Sequence, residues 1–175
     1  MKIGILGGSF NPCHDGHLHI SNMAIKKLGL NQLWWIPTKK NPLKNNHSYI
    51  DYNLRLLDCQ KLTKNHYKIR VKKFDYLYSI KMIKILQNRY KNYDFYWIMG
   101  ADSIKDFHLW KDYFKILMHI KITIFSRENY SNLIIKTKTF NVYKNMKSKK
   151  ELPKIQIFNT KNNYNSSSKI RQQYV

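Results

Sequence analysis

Short apolar runs rich in β-branched and aromatic residues alternate along this chain with stretches of helical period. The runs are KIGIL (2–6), QLWWIPT (32–38), YKIRVKKF (67–74), FYWIMG (95–100), KITIFS (121–126) and IQIFNT (155–160), and each reads as a strand. Between them the spacing of apolar positions predicts helices around 16–28, 51–64, 79–91 and 111–119. Strand, helix, strand repeated in this way argues for an α/β fold, a single doubly wound domain over residues 1–175 with a mainly parallel sheet and right-handed crossovers. Residues 129–154 have weak period and many lysines, and read as an irregular connection with room for one short helix.

In doubly wound sheets ligands sit beyond the carboxyl ends of the strands. The segments that follow the strands here are GGSFNPCHDGH, KKNPLK, GADS, SREN and NSSSKIR, after the first, second, fourth, fifth and sixth runs. Five strand exits are therefore expected to face one crevice. The stretch GGSFNPCHDGHLHI (7–20) holds three of the chain's six glycines and three of its seven histidines. Gly7 and Gly8 are expected to turn the backbone sharply and admit a ligand close to it. Ser9 and its neighbouring amides can then bond phosphate oxygens, with Pro12 stiffening the loop. A helix starting near Asp15 or Gly16 puts His14 and His17 at its N-terminus, where partial positive charge favours an anion. Two other readings stand beside this one: a purely structural pair of helix-start histidines, or a metal held by Cys13, His14, Asp15 and His17.

Length and composition narrow the class. A chain of 175 residues with 43% hydrophobic and 14% aromatic residues supports one globular core. The formal charge of +22 suits nucleic acid in principle. Yet 27 of the 32 basic residues are Lys, spread over the whole length and mixed with Asn, Ile and Tyr. That distribution describes a solvated surface, with no dedicated nucleic-acid partner expected and easy attraction of small anionic substrates. Cys13 and Cys59 alone support no disulfide framework and suit a reducing compartment. No signal-peptide pattern and no apolar run of about 18 residues is present, so a cytoplasmic protein without membrane contact is expected.

Together these stretches carry a resemblance. GILGGSFNPCHDGHL resembles the (T/H)xGH signature of the nucleotidyltransferase α/β superfamily, and NSSSKIR (165–171) resembles its second signature, ISSTxIR. LWWIPTKKNPLK (33–44), WIMGADSIKDFHLWKDYFKI (97–116) and FSREN (125–129) are similar to the nicotinate-nucleotide adenylyltransferase family. The resemblance implies a Rossmann-like fold of nucleotidyltransferase type and transfer of AMP from ATP to nicotinate mononucleotide. It implies that His14, His17 and Arg171 act on the ATP phosphates, with Gly8, Ser9, Phe10, Gly100, Asp102, Ser167 and Ser168 completing the ATP site. Lys44 would neutralise the mononucleotide phosphate, Trp110 would stack on the pyridine ring, and Ser79 and the amide of Lys111 would hold its carboxylate.

Each assignment has a plainer counterpart. Asp102 could cap a helix, Lys44 could be one more surface lysine, and residues 167–171 could be a capped basic helix. Trp34, Trp35 and Trp97 read as core. No protein carboxylate cluster is available for a resident metal, so Mg²⁺ is expected to enter on the ATP phosphates. Asn11 stands where the family often has Asp, Leu43 where it has His, and LYSIKM (77–82) keeps only Tyr78 and Ser79 of the usual SYTxDT. The chain stops four residues after Arg171, where relatives continue through another helix, which leaves the ATP site to be completed by a second copy in a homo-oligomer or to stand with a thinner wall. Alternatives are a phosphopantetheine adenylyltransferase, which shares both signatures but not the ring at position 110, and a basic RNA-binding module with a vestigial nucleotide site. MKSKK (146–150) is loosely similar to the KMSKS of class I aminoacyl-tRNA synthetases, but the length leaves no room for an anticodon domain.

Overall fold

A computed structural model describes residues 1–39, 43, 50–74, 76–127, 131–148 and 153–160. The described residues divide into two compact units of three strands each, and every strand pair within each unit is parallel. The units comprise the described residues of Met1–Leu77 and of Tyr78–Asn162.

The first unit contains β1 (Lys2–Gly8), α1 (Asp15–Leu28), β2 (Gln32–Pro37), α2 (Tyr52–Thr63) and β3 (Ile69–Val71), with strand order β3-β2-β1. Ile3, Ile5 and Leu6 are all buried, the continuous apolar run of a strand covered on both faces. Register places Ile5 beside Trp34, Leu6 beside Trp35 and Gly8 beside Pro37. At Gly4 a side chain would meet the Leu30 Cδ1 atom at 2.6 Å, so a small residue is what lets β1 lie against the segment leaving α1. Gly29, at φ 61°, ends α1, and its N–H reaches back to the Ile25 carbonyl. Asp51 opens α2 by accepting from the N–H groups of Asn53 at 2.8 Å and Leu54 at 3.3 Å.

The second unit contains α3 (Ser79–Arg89), β4 (Asp94–Gly100), α4 (Ala101–Lys105), a 3₁₀ turn (Phe107–Leu109), α5 (Tyr113–His119), β5 (Lys121–Arg127), α6 (Ser131–Ile135), α7 (Lys138–Lys147) and β6 (Ile155–Thr160). Its strand order is β4-β5-β6, with Ile98 beside Thr123 and Phe125 beside Phe158. Trp97, Ile98, Phe107, Ile116 and Ile124 form its core with Ile83 and Leu86 of α3.

The predicted α/β alternation is observed, with three differences. The third strand spans three residues, and its pairing to β2 ends with the Lys72 N–H donating to the Trp35 carbonyl at 2.8 Å. The stretch predicted as an irregular connection contains two helices, α6 and α7, whose buried positions include Ile134, Thr139 and Tyr143. The helix predicted from 111 begins at Tyr113, after Asp112 at φ 54°. Among the described residues no helix is long and apolar enough to cross a membrane.

Candidate active site

The exit of β1 is built by packing rather than by glycine. Gly7 and Gly8 complete the strand, and neither has a positive φ. The left-handed position falls on Phe10, at φ 47°. A non-glycine residue there costs on the order of 1–3 kcal/mol and persists only where its surroundings fix it. Phe10 is 2% exposed, with its ring 5.0 Å from Trp35 and 4.7 Å from His17. The expected glycine turn is thus replaced by a turn that an aromatic side chain holds in place. After it comes a cis peptide between Asn11 and Pro12, and buried Asn11 accepts from the Ile50 N–H at 3.0 Å.

His14 and His17 lock each other at the start of α1. His14 is the N-cap, its Nδ1 accepting from the Gly16 N–H at 3.1 Å, while the Nδ1 of His17 accepts from the N–H of His14 at 3.2 Å. A backbone N–H can bond only a ring nitrogen that carries no proton. Both neutral rings are therefore assigned the tautomer with hydrogen on Nε2, so each Nε2–H is a donor. The ring centroids lie 4.0 Å apart. Burial, with the adjacent His14 imidazole as a smaller cause, pushes the pKa of His17 down to about 3. His17 is consequently a neutral donor at every physiological pH.

Strand β2 anchors this turn of helix. Trp35 Nε1 donates to Ser21 Oγ at 2.8 Å, and Ser21 Oγ donates to the His17 carbonyl at 2.7 Å. The Trp35 and His17 ring centroids lie 5.9 Å apart in an edge-to-face arrangement. A buried indole is thus tied through one hydroxyl to the residue that carries the second imidazole.

The metal reading fares differently. Both Nδ1 lone pairs are occupied, and the Cys13 thiol is engaged with Cys59, whose hydrogen bond holds the Cys13 pKa below its ordinary value. The same contact and burial raise that of Cys59. Among the described residues no group of three His, Cys, Asp or Glu side chains is placed to hold a metal.

One residue here was not anticipated. Arg55 of α2 is 1% exposed and donates to four main-chain carbonyls: Nε to Ile50 at 2.9 Å, one terminal nitrogen to Thr38 at 2.9 Å and also to Ser9, and the other to Lys39 at 3.0 Å. Its signal in the sequence was rarity, since Arg occurs five times against 27 Lys. A chain that uses Lys by default keeps Arg where a rigid fork of five donors is needed.

In the second unit Gly100 ends β4 and is itself the N-cap of α4. Asp102 therefore does not cap the helix; it lies exposed in the first turn. Trp110 is half-buried after the 3₁₀ turn, edge-on to Trp97 at 5.9 Å and tilted against Phe107 at 5.0 Å. Lys111 follows it, exposed, and Ser79 is the first residue of α3, half-buried. Trp34, Trp35 and Trp97 are core, as their strand positions imply. The structure thus gathers Gly8, Ser9, Phe10, His14 and His17 at one strand exit, and places Gly100 with Asp102, and Trp110 with Lys111, in the second unit. Lys44, Ser167, Ser168 and Arg171 lie outside the described residues.

A loop that runs from the first strand of an α/β unit into a helix N-terminus carrying two imidazole donors is suited to an anion such as phosphate. Residues 5–173 match the cytidylyltransferase-like family, to which the chain belongs. Within it, similar proteins include probable nicotinate-nucleotide adenylyltransferases. A probable nicotinate-nucleotide adenylyltransferase of Pelagibacter ubique is 37% identical over 175 residues, covering 98% of this chain and 92% of that protein. One of Rhizobium meliloti is 37% identical over 131 residues, 73% of this chain and 69% of its own. The fold is also that of the Plasmodium falciparum nicotinic acid mononucleotide adenylyltransferase complexed with APC, with a TM-score of 0.75 at 21% identity over 98% of this chain and 82% of that one.

Proposed function

We propose that this chain transfers AMP from ATP to nicotinate mononucleotide, forming nicotinate adenine dinucleotide and pyrophosphate. The observation that carries the reading is the reciprocal bonding of His14 and His17, which leaves two Nε2–H donors at a helix N-terminus. In the reaction an oxygen of the mononucleotide phosphate bonds to the α-phosphorus of ATP, and the bond from that phosphorus to the bridging β-oxygen breaks. Negative charge grows on the α-phosphate and on the departing pyrophosphate. Neutral donors aimed there stabilise the transition state more than the ground state. The attacking phosphate, with a second pKa near ~6, is already mostly anionic at neutral pH, so no general base is needed. A neutral His17 fits that division of labour.

Ser9, the amide of Phe10 and Gly8 extend the phosphate site, and Arg171, Ser167 and Ser168 supply its cationic and hydroxyl side. Gly100 and Asp102 take the ribose. Lys44 neutralises the mononucleotide phosphate, Trp110 stacks on the pyridine, and Ser79 with the Lys111 amide receives the carboxylate. The second substrate is the magnesium complex of ATP, in which the ion neutralises charge and keeps most of its coordination to phosphate and water. The cytoplasm, where both cysteines stay reduced, is the compartment this reading calls for.

Pyrophosphate release with ATP and either the acid or the amide mononucleotide tests the proposal. Preference for the acid by about tenfold or more, about 1.4 kcal/mol between transition states, is expected. Release with phosphopantetheine but neither mononucleotide would assign the chain to that rival. Salt-sensitive RNA binding with no release would make it a binding module.

A further inference from the structure

We propose that Arg55 is a positioning residue for adenylyl transfer, holding in register the two loops that present phosphate donors; the proposal rests on the function proposed above. Its four carbonyl partners come from three separate stretches. Ser9 lies at the exit of β1, Thr38 and Lys39 at the exit of β2, and Ile50 just before α2. The side chain itself is fixed at its base, because α2 is capped by Asp51 and the Arg55 N–H bonds the Asp51 carbonyl at 3.0 Å. The Tyr52 ring lies 5.5 Å from the guanidinium carbon.

Main-chain geometry converts this grip into donor placement. In a trans peptide the C=O and N–H point in opposite directions. A Ser9 carbonyl drawn to Arg55 therefore aims the Phe10 N–H away from it, and the Thr38 carbonyl does the same for the Lys39 N–H. The Ser9 to Phe10 peptide is also the one that leads into the left-handed residue, so the guanidinium helps to maintain the single non-glycine turn on which the path to His14 depends. Ile50 closes a ring of contacts. Asn11 binds its N–H and Arg55 its carbonyl, which couples the histidine loop to α2 twice. An ammonium group donates from one point and cannot span these directions, so Lys is no substitute.

The test uses the whole chain with Arg55→Lys and Arg55→Ala, pyrophosphate release being normalised to the folded fraction seen by circular dichroism. For Arg55→Lys, kcat is expected to fall about tenfold or more while KM for ATP changes less than about threefold, the pattern of a misplaced transition-state donor. Added guanidinium is expected to restore part of the activity of Arg55→Ala, whereas His14→Ala gains nothing from it. A folded Arg55→Lys with kcat within about threefold of wild type overturns the proposal. So does activity lost only in proportion to folding, failure of both variants to fold, or absence of rescue, each of which makes Arg55 a structural residue alone. No release from the wild-type chain would instead remove the underlying functional reading, and this proposal with it.

Discussion

In the first unit His14 and His17 are oriented by main-chain N–H groups, and the loop before them is gripped through its carbonyls by Arg55. In the second, Trp110 rests against the rings of Trp97 and Phe107, and Asp102 stands exposed in a five-residue helix. Directional bonds suit a task in which a donor must meet charge appearing at one atom. Ring packing suits the recognition of a flat group, where a small slide alters little. The first unit is therefore expected to respond to substitution mainly in kcat, and the second mainly in KM.

The largest effect is expected for His14→Ala. Removal of one transition-state donor lowers turnover about 10²–10³-fold. Loss of the cap costs about 1 kcal/mol, a shift of a few degrees in the melting temperature. Pyrophosphate release together with a thermal melt separates the two, and retained turnover in a folded variant would break the assignment of His14.

Smaller, and of the other kind, is Trp110→Ala. KM for nicotinate mononucleotide is expected to rise about tenfold with kcat little changed, and Trp110→Phe to recover most of it. A fall in kcat alone would erase the contrast between the units.

The smallest effect concerns pH. Because the pKa of His17 is depressed to about 3, its carbon-bound ring proton resonances should stay constant between pH 8 and about 5, and its donor role should leave no step in kcat there. Stability follows with a definite sign. The unfolded chain protonates this histidine near about 6.5 and the folded one only near about 3, so its contribution is full above the higher value and is lost as pH falls toward the lower. Proton NMR of the imidazoles and urea unfolding across that range check both statements. A His17 titration near neutrality would overturn the tautomer assignment.

Five of the strands were legible because parallel strands buried on both faces carry unbroken β-branched and aromatic runs. β3 is shorter than YKIRVKKF suggests, since that run has the composition of a strand over eight residues, whereas main-chain bonds to β2 reach only from the Lys68 carbonyl to the Lys72 N–H. α7 stayed hidden because its buried positions are Thr139 and Tyr143, one helical turn apart but too polar to register as an apolar stripe. At the site, the histidine spacing and the Gly–Ser loop could be read directly. The tautomers could not, as they follow from which backbone N–H each ring meets, and neither could the shift of the turn from glycine to Phe10, which depends on Trp35 coming from another strand. Arg55 was illegible as chemistry because its partners are carbonyls, which every residue has.

That last property has a wider reach. A contact made to main-chain carbonyls does not depend on the identities of the side chains that the same residues display. An exposed substitution such as Leu43 for the usual His can then change what the surface offers a ligand without touching the carbonyls that Arg55 holds. Arg55 would in this way separate the evolution of specificity from the upkeep of architecture.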